Sequence, residues 1–179
     1  MQYRKLGRTG FDVSAVSYGG IVSMEDGQAA SDRYVAWALE RGINYFDVAP
    51  TYGDAEEKLG NSIAPHRSKI RLACKTAERL KVNAQKELKR SQELLHTDYF
   101  DVYQLHAISS MEDVDIAFGP GGVMEMVREM KEKGIGKSYE DVLSYALFPQ
   151  VAEKFFAVRD AEPVEEPAVR ELVVEDLSN

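Results

Sequence analysis

Short apolar segments recur along the chain at nearly constant intervals, and an amphipathic segment follows each of them. The apolar segments start at residues 13, 43, 70 and 99, which are about 30 residues apart. They occupy Val13–Tyr18, Ile43–Val48, Ile70–Cys74 and Tyr99–Leu105. Strands that alternate with helices at this spacing predict right-handed βαβ units and a parallel sheet. We count four such units, after which the repeat stops.

The segments between the strands carry helical periodicity. Capping residues predict helices that begin at Ser31, at Asp54 and near Asn83. A fourth helix is predicted to end at Gly134, with one apolar face made of Val123, Met126, Val127 and Met130.

The two ends of the chain differ from this repeat. The sequence Gly7–Gly10 predicts the turn of an N-terminal β-hairpin. Residues 138–158 are rich in apolar side chains and predict one or two helices interrupted near Pro149. We therefore expect three segments, namely residues 1–137, a helical segment 138–158 and an acidic tail 159–179.

Length and charge limit what this α/β protein can be. A complete (β/α)₈ barrel needs about 200 residues or more, so we do not expect a chain of 179 residues to hold a complete one. The net charge is −8, and −6 of it falls on residues 160–179. An acidic tail on a nearly neutral body argues against nucleic acid as a partner.

Cys74 is the only cysteine, which excludes an intrachain disulfide and a cysteine-rich metal site. We expect it to be a buried, inert thiol. The three histidines lack metal-ligand spacing, so no metal site is predicted. No long uncharged apolar run resembles a signal peptide or a membrane span, which predicts a cytoplasmic protein without a membrane partner.

Three predicted strands end in a polar side chain, and these are Asp47, Lys75 and His106. Ligands bind at the carboxyl ends of strands in parallel βα arrays, so we expect the three side chains to converge there. Tyr52 follows Asp47 in the same loop. An ammonium favours the ionised form of a neighbouring phenol, and such a phenol can donate a proton to a carbonyl oxygen. The set suits carbonyl reduction with a hydride supplied by a cofactor.

The motifs around these residues resemble those of the aldo-keto reductase family. Residues 3–14 resemble its N-terminal hairpin, and residues 46–53 resemble its signature around the catalytic Asp and Tyr. Residues 73–76 and 101–106 resemble the strands that carry its Lys and its His. The resemblance extends from residue 1 to about residue 137.

The resemblance implies a TIM-barrel fold, so that four βα units after a hairpin predict a partial TIM-type barrel. It also implies NADPH as cofactor and a small carbonyl compound as substrate. It implies that Tyr52 is the proton donor, that Asp47 and Lys75 tune this tyrosine, and that His106 orients the substrate.

The resemblance also implies that the loop after the first strand contacts the cofactor. Gly20 and Ile21, together with Asp47, are the expected cofactor-binding residues.

Two interpretations of function stay open. One is an NADPH-dependent reductase, and the other is a truncated, catalytically inactive remnant that acts as an interaction domain.

Residues 138–156 also resemble, more weakly, the end of a biotin-dependent carboxyltransferase domain of the pyruvate carboxylase or oxaloacetate decarboxylase type. This second resemblance suggests a fusion or a chimera and not a carboxyltransferase. A third interpretation is that the tail docks to a biotin-dependent carboxylase assembly. Unpaired edges of a half-barrel further predict a homodimer.

Overall fold

The computed structural model describes residues 1–133 and 136–138. A two-stranded antiparallel hairpin precedes a five-stranded parallel sheet, and helices connect the strands of the sheet. The strands are β1 (Tyr3–Lys5), β2 (Asp12–Ser14), β3 (Tyr18–Gly19), β4 (Tyr45–Asp47), β5 (Arg71–Thr76), β6 (Phe100–Leu105) and β7 (Gly136–Ser138). The α-helices are α1 (Gln28–Glu40), α2 (Ala55–Ile63), α3 (Lys81–Leu94), α4 (Met111–Phe118) and α5 (Val123–Glu132), and 3₁₀ turns span Gly7–Thr9, Gly20–Ser23 and Ala64–Lys69.

The sheet has the strand order β3-β4-β5-β6-β7, so every strand pairs with the next one along the chain. This order, with helices between the strands, is that of successive strands in a TIM-type barrel. Within the described residues the sheet does not close. The arrangement agrees with the predicted partial barrel.

The core lies between the sheet and its helices. Neighbouring residues of a strand point to opposite faces, so Phe46 and Cys74 pack in the apolar layer while the adjacent Asp47 and Lys75 meet each other on the other face. The buried side of α5 consists of Val123, Met124, Met126, Val127 and Met130, which includes the four positions predicted from helical periodicity.

A charged cluster occupies the amino end of the sheet. The carboxylate of Asp101 is fully buried and accepts hydrogen bonds from Arg67 (2.9 Å), Arg71 (3.0 Å) and the Leu72 amide (3.0 Å). The hairpin covers this end, with the Phe11 ring centroid 4.3 Å from the Arg71 guanidinium. The buried charge of Asp101 is therefore matched inside the protein.

Two local predictions were wrong. The apolar segment Val13–Tyr18 is divided between β2 and β3, because its first residues pair with the hairpin. Helix α1 begins after Gly27, and Ser31 is a buried residue of the helix, not its cap. Its hydroxyl bonds to those of Ser23 (3.1 Å) and Ser62 (3.0 Å) in the interior.

Two elements were not predicted. Strand β7 pairs in parallel with β6 and adds a fifth strand to the repeat. Its residues Gly136–Ser138 include no apolar side chain, so the pattern of apolar segments could not reveal it. Helix α4 has only 8 residues, which is too short for a helical period to stand out. Apart from Ser138, the predicted helical segment 138–158 and the acidic tail 159–179 lie outside the described residues.

Candidate active site

An ion pair lies at the carboxyl end of the sheet. Lys75, on β5, donates from its ammonium to the carboxylate of Asp47, at the end of β4. The same ammonium lies 3.3 Å from the carbonyl oxygen of Val48. Lys75 is almost completely buried, whereas about a quarter of the Asp47 side chain is exposed. The pair is thus held by two neighbouring strands and opens to one side.

Two aromatic side chains lie beside this pair. The Lys75 ammonium is 5.4 Å from the centroid of the Tyr52 ring. Tyr52 and His106 meet edge to face, with ring centroids 5.8 Å apart and an interplanar angle of 88°. The hydroxyl oxygen of Thr51 lies 3.2 Å from Nδ1 of His106. A partly buried phenol and imidazole therefore lie next to a buried ammonium.

The surroundings of His106 favour its neutral form. Burial lowers the pKa of the His106 imidazole, and the Lys75 ammonium lowers this pKa further, although the Asp47 carboxylate opposes the effect. The usual histidine pKa is about 6.5, so the imidazole is uncharged at neutral pH. A neutral imidazole has one N–H donor and one acceptor nitrogen.

The turn after β3 packs directly against the end of β4. A Cβ atom on Gly20 would lie 2.8 Å from the Asp47 carbonyl oxygen and 2.9 Å from Cβ of Val48. Only glycine allows this approach. The next two side chains, Ile21 and Val22, are about half exposed. The turn therefore carries two half-exposed apolar side chains directly after the glycine that touches the end of β4.

A second polar group lies behind the ion pair, in the layer between sheet and helices. The Cys74 thiol donates to the buried carboxylate of Glu56, with 3.6 Å between sulfur and oxygen. Burial raises the pKa of the Glu56 carboxyl and raises the pKa of the Cys74 thiol well above its usual range. The thiol is therefore buried and un-ionised at neutral pH, and the predicted burial of Cys74 is confirmed.

The structure brings together Asp47, Lys75, Tyr52 and His106, and it brings Gly20 within reach of Asp47. Ile21 is about half exposed and has no described contact with the four. The sequence did not single out Thr51, which lies next to Tyr52 in the loop. It also offered no signal for Arg79, whose guanidinium bonds to the main chain after His106.

Among the described residues, no group of three or more His, Cys, Asp or Glu side chains is arranged to hold a metal ion. None of the helices that the structure describes has the length and apolar character needed to cross a membrane.

Comparison with known proteins identifies relatives of one kind. The model of the "Aldo/keto reductase family" matches residues 17–140. "Uncharacterized oxidoreductase YqkF" of Bacillus subtilis is 32% identical over 154 residues, which cover 78% of this chain and 48% of the relative. "L-galactose dehydrogenase" of Arabidopsis thaliana is 34% identical over 127 residues, which cover 60% of this chain and 39% of the relative.

Solved structures of aldo-keto reductases also resemble this chain. The "aldo-keto reductase AKR11C1 from Bacillus halodurans (holo form)" superposes with a TM-score of 0.73 at 26% identity, covering 88% of this chain and 54% of that one. The second resemblance, of residues 138–156 to a carboxyltransferase domain, receives no support from these comparisons.

The chain spans about half the length of the curated relatives it matches. The match nevertheless includes most of the chain, and it contains the strands and loops that carry Asp47, Tyr52, Lys75 and His106. This chain therefore belongs to the aldo/keto reductase family.

Proposed function

We propose that the chain carries the catalytic half of an NADPH-dependent reductase that converts a small carbonyl compound to an alcohol. The observation that carries the proposal is the ion pair of the buried Lys75 with the partly exposed Asp47 beside Tyr52, with the His106 ring edge-on to the phenol. These groups lie at the carboxyl ends of adjacent parallel strands, where barrel enzymes hold their catalytic residues.

Tyr52 is the proton donor in this proposal. The Lys75 ammonium beside the ring stabilises the phenolate that remains after the proton moves to the substrate oxygen. Asp47 keeps the ammonium in position through its carboxylate. The reduced nicotinamide, when bound, supplies a hydride to the carbonyl carbon. The hydride and the proton together convert the carbonyl to the alcohol.

His106 orients the substrate in this proposal. Its neutral imidazole can donate one hydrogen bond, and when Thr51 donates to Nδ1 the proton lies on Nε2. A donor beside the phenol holds the substrate oxygen and stabilises the negative charge that develops on it. The imidazole need not change its own protonation state.

The residues of the turn after β3 fit a cofactor. Gly20 brings the main chain against the end of β4, and the next two residues, Ile21 and Val22, carry apolar side chains that are about half exposed. We propose that this turn and Asp47 hold the nicotinamide end of NADPH.

Fluorescence titration with NADPH tests binding, and carbonyl-dependent loss of NADPH absorbance tests turnover. We expect micromolar binding and measurable turnover. Tyr52→Phe should lower kcat/KM by about 10²- to 10⁴-fold while NADPH binding is retained. Tyr34→Phe is the matched control, because the Tyr34 hydroxyl bonds to Asp26 on the surface. No binding at millimolar NADPH would contradict the proposal and favour the inactive interaction domain.

We further propose association of two copies through the sheet. Within the described residues β3 and β7 are the outer strands, each paired on one side only. Unpaired strand edges favour pairing with another chain. Light scattering should then give at least twice the mass of 20.1 kDa, and a monodisperse monomer would contradict this. Location in the cytoplasm stays a prediction from the sequence.

A further inference from the structure

The loop after β5 carries an arginine that bonds to the main chain of the loop after β6. The Arg79 guanidinium donates to the carbonyl oxygens of His106 (2.8 Å) and Ala107 (3.0 Å). It also donates to the carbonyl oxygen of Ala77 in its own loop, at 2.9 Å. The Arg79 side chain is 15% exposed, and its bond to the carbonyl oxygen of His106 is partly buried, whereas the bonds to Ala77 and Ala107 lie at the surface. One guanidinium thus ties together two loops that leave the carboxyl end of the sheet.

The chain that Arg79 holds has an unusual conformation. Ala107 has a φ of +53°, and a non-glycine residue adopts this left-handed region only when its surroundings enforce it. The amide of His106 donates to the carbonyl oxygen of Thr76 at 2.8 Å. The main chain of His106 is therefore fixed on its amide side by β5 and on its carbonyl side by Arg79.

A carboxylate fixes Arg79 in turn. Asp113, in the first turn of α4, accepts from Nε of Arg79 at 3.1 Å. Its other oxygen accepts from the amide of Ser109 at 3.2 Å. The planar guanidinium thus donates from Nε and from both Nη atoms to four acceptors, which is an arrangement that a lysine cannot reproduce.

We propose that Arg79, held by Asp113, is a positioning residue that sets the direction of the His106 imidazole towards Tyr52. It acts through the main chain of His106 and Ala107 and does not itself reach the substrate. The effect on turnover rests on the proposed reductase function, whereas the effect on His106 can be observed without turnover.

Three substitutions in the full chain test this. Arg79→Gln removes both the charge and the fork of donors, and Arg79→Lys keeps the charge alone. The matched control is Arg41→Gln, because the Arg41 guanidinium also donates to a main-chain carbonyl, that of Trp37 at 3.1 Å, on the exposed end of α1. Circular dichroism and urea unfolding identify any variant that fails to fold.

The first measurement is the NMR titration of the His106 imidazole, which faces Lys75, Asp47 and Glu87 as well as Arg79. In Arg79→Gln the pKa of His106 should rise, because a positive neighbour is lost, and the chemical shifts of the neutral ring should also change. In Arg79→Lys the charge stays, so the pKa should remain near that of the parent while the chemical shifts of the neutral ring still change. Unchanged ring signals in both variants would overturn the proposal, whatever the turnover.

The second measurement is the kinetics. A small misplacement of a catalytic group costs up to about 10²-fold in rate, so both Arg79 variants should lose kcat by about tenfold or more with little change in KM for NADPH. Full recovery of kcat in Arg79→Lys, or losses no greater than in Arg41→Gln, would overturn the positioning role. Parent protein without turnover would contradict the proposed function alone, since the NMR result would stand.

Discussion

The two ends of the parallel sheet each hold a carboxylate paired with a cation, and the pairs differ in how completely they are satisfied. At the amino end, Asp101 is fully buried, and its oxygens accept from Arg67, Arg71 and a main-chain amide. At the carboxyl end, Asp47 is about a quarter exposed and meets the ammonium of Lys75.

This difference separates stability from chemistry. The Asp101 carboxylate is enclosed by protein donors and fully buried, so it is not accessible to a ligand and the amino end serves the fold. At the carboxyl end, the pair opens towards Tyr52 and His106 and can respond to what binds there. Barrel proteins in general divide their two ends in this way.

Asp101→Ala tests the amino end and should have the largest effect on stability. Removing one partner of a buried pair leaves uncompensated charge and costs about 3–5 kcal/mol. Urea unfolding measures the loss. Asp12→Ala is the control, because its pair with Lys5 is exposed and its removal should leave the free energy of unfolding nearly unchanged. Equal losses of unfolding free energy in the two variants would contradict the stabilising role of the buried Asp101 cluster.

Asp47→Asn tests the carboxyl end, where we expect turnover to be affected more than stability. We expect a smaller loss of stability, about 1–3 kcal/mol, because the carboxylate is partly exposed and the ammonium keeps the carbonyl oxygen of Val48. Turnover should fall by about 10²-fold, because the ammonium beside Tyr52 loses its anchor. Unfolding and steady-state kinetics on the same preparation measure both. Unchanged kcat in a stable variant would contradict the assigned role.

Gly20→Ala examines whether the turn and the strand end form one unit. The added Cβ would press on the Asp47 carbonyl oxygen and on Val48, and crowding of this kind costs about 1–3 kcal/mol. We expect weaker NADPH binding as well. Gly19→Ala is the matched control, because a Cβ there meets nothing within 4 Å. Similar behaviour of the two variants would show that the close approach is unimportant.

The smallest effect concerns pH. Because the pKa of Glu56 is raised in the folded protein, the stability that this carboxyl contributes is present below its unfolded pKa and is lost as the pH rises through the folded pKa. Glu56→Gln, which cannot ionise, should therefore gain stability relative to the parent as the pH rises through this range. Urea unfolding of both proteins at several pH values measures the difference. A difference that does not change with pH would contradict this prediction.

The sequence allowed the principal strands to be predicted from their apolar runs, and it indicated Asp47, Lys75 and His106 because three of these runs end in a polar residue. Tyr52 followed from its place in the loop after Asp47 and from the family resemblance. It did not allow prediction of β7, whose three residues are not apolar. Nor did it reveal the contacts of Arg79 with His106, since these join residues 27 positions apart through main-chain carbonyls that carry no signal in the sequence. Patterns report which face a residue occupies, whereas loop contacts depend on how the units meet.

The alternation along β5 has one further practical consequence. Cys74 is the only thiol of the chain, and it lies fully buried behind Lys75 with a raised pKa. Alkylating reagents react with the exposed thiolate, so the folded protein should resist them. The rate at which the thiol is labelled in mild urea then reports how often helices α2 and α3 separate from the sheet. Strand β5 thus carries both the Lys75 ammonium and, on its opposite face, a thiol whose labelling reports local opening.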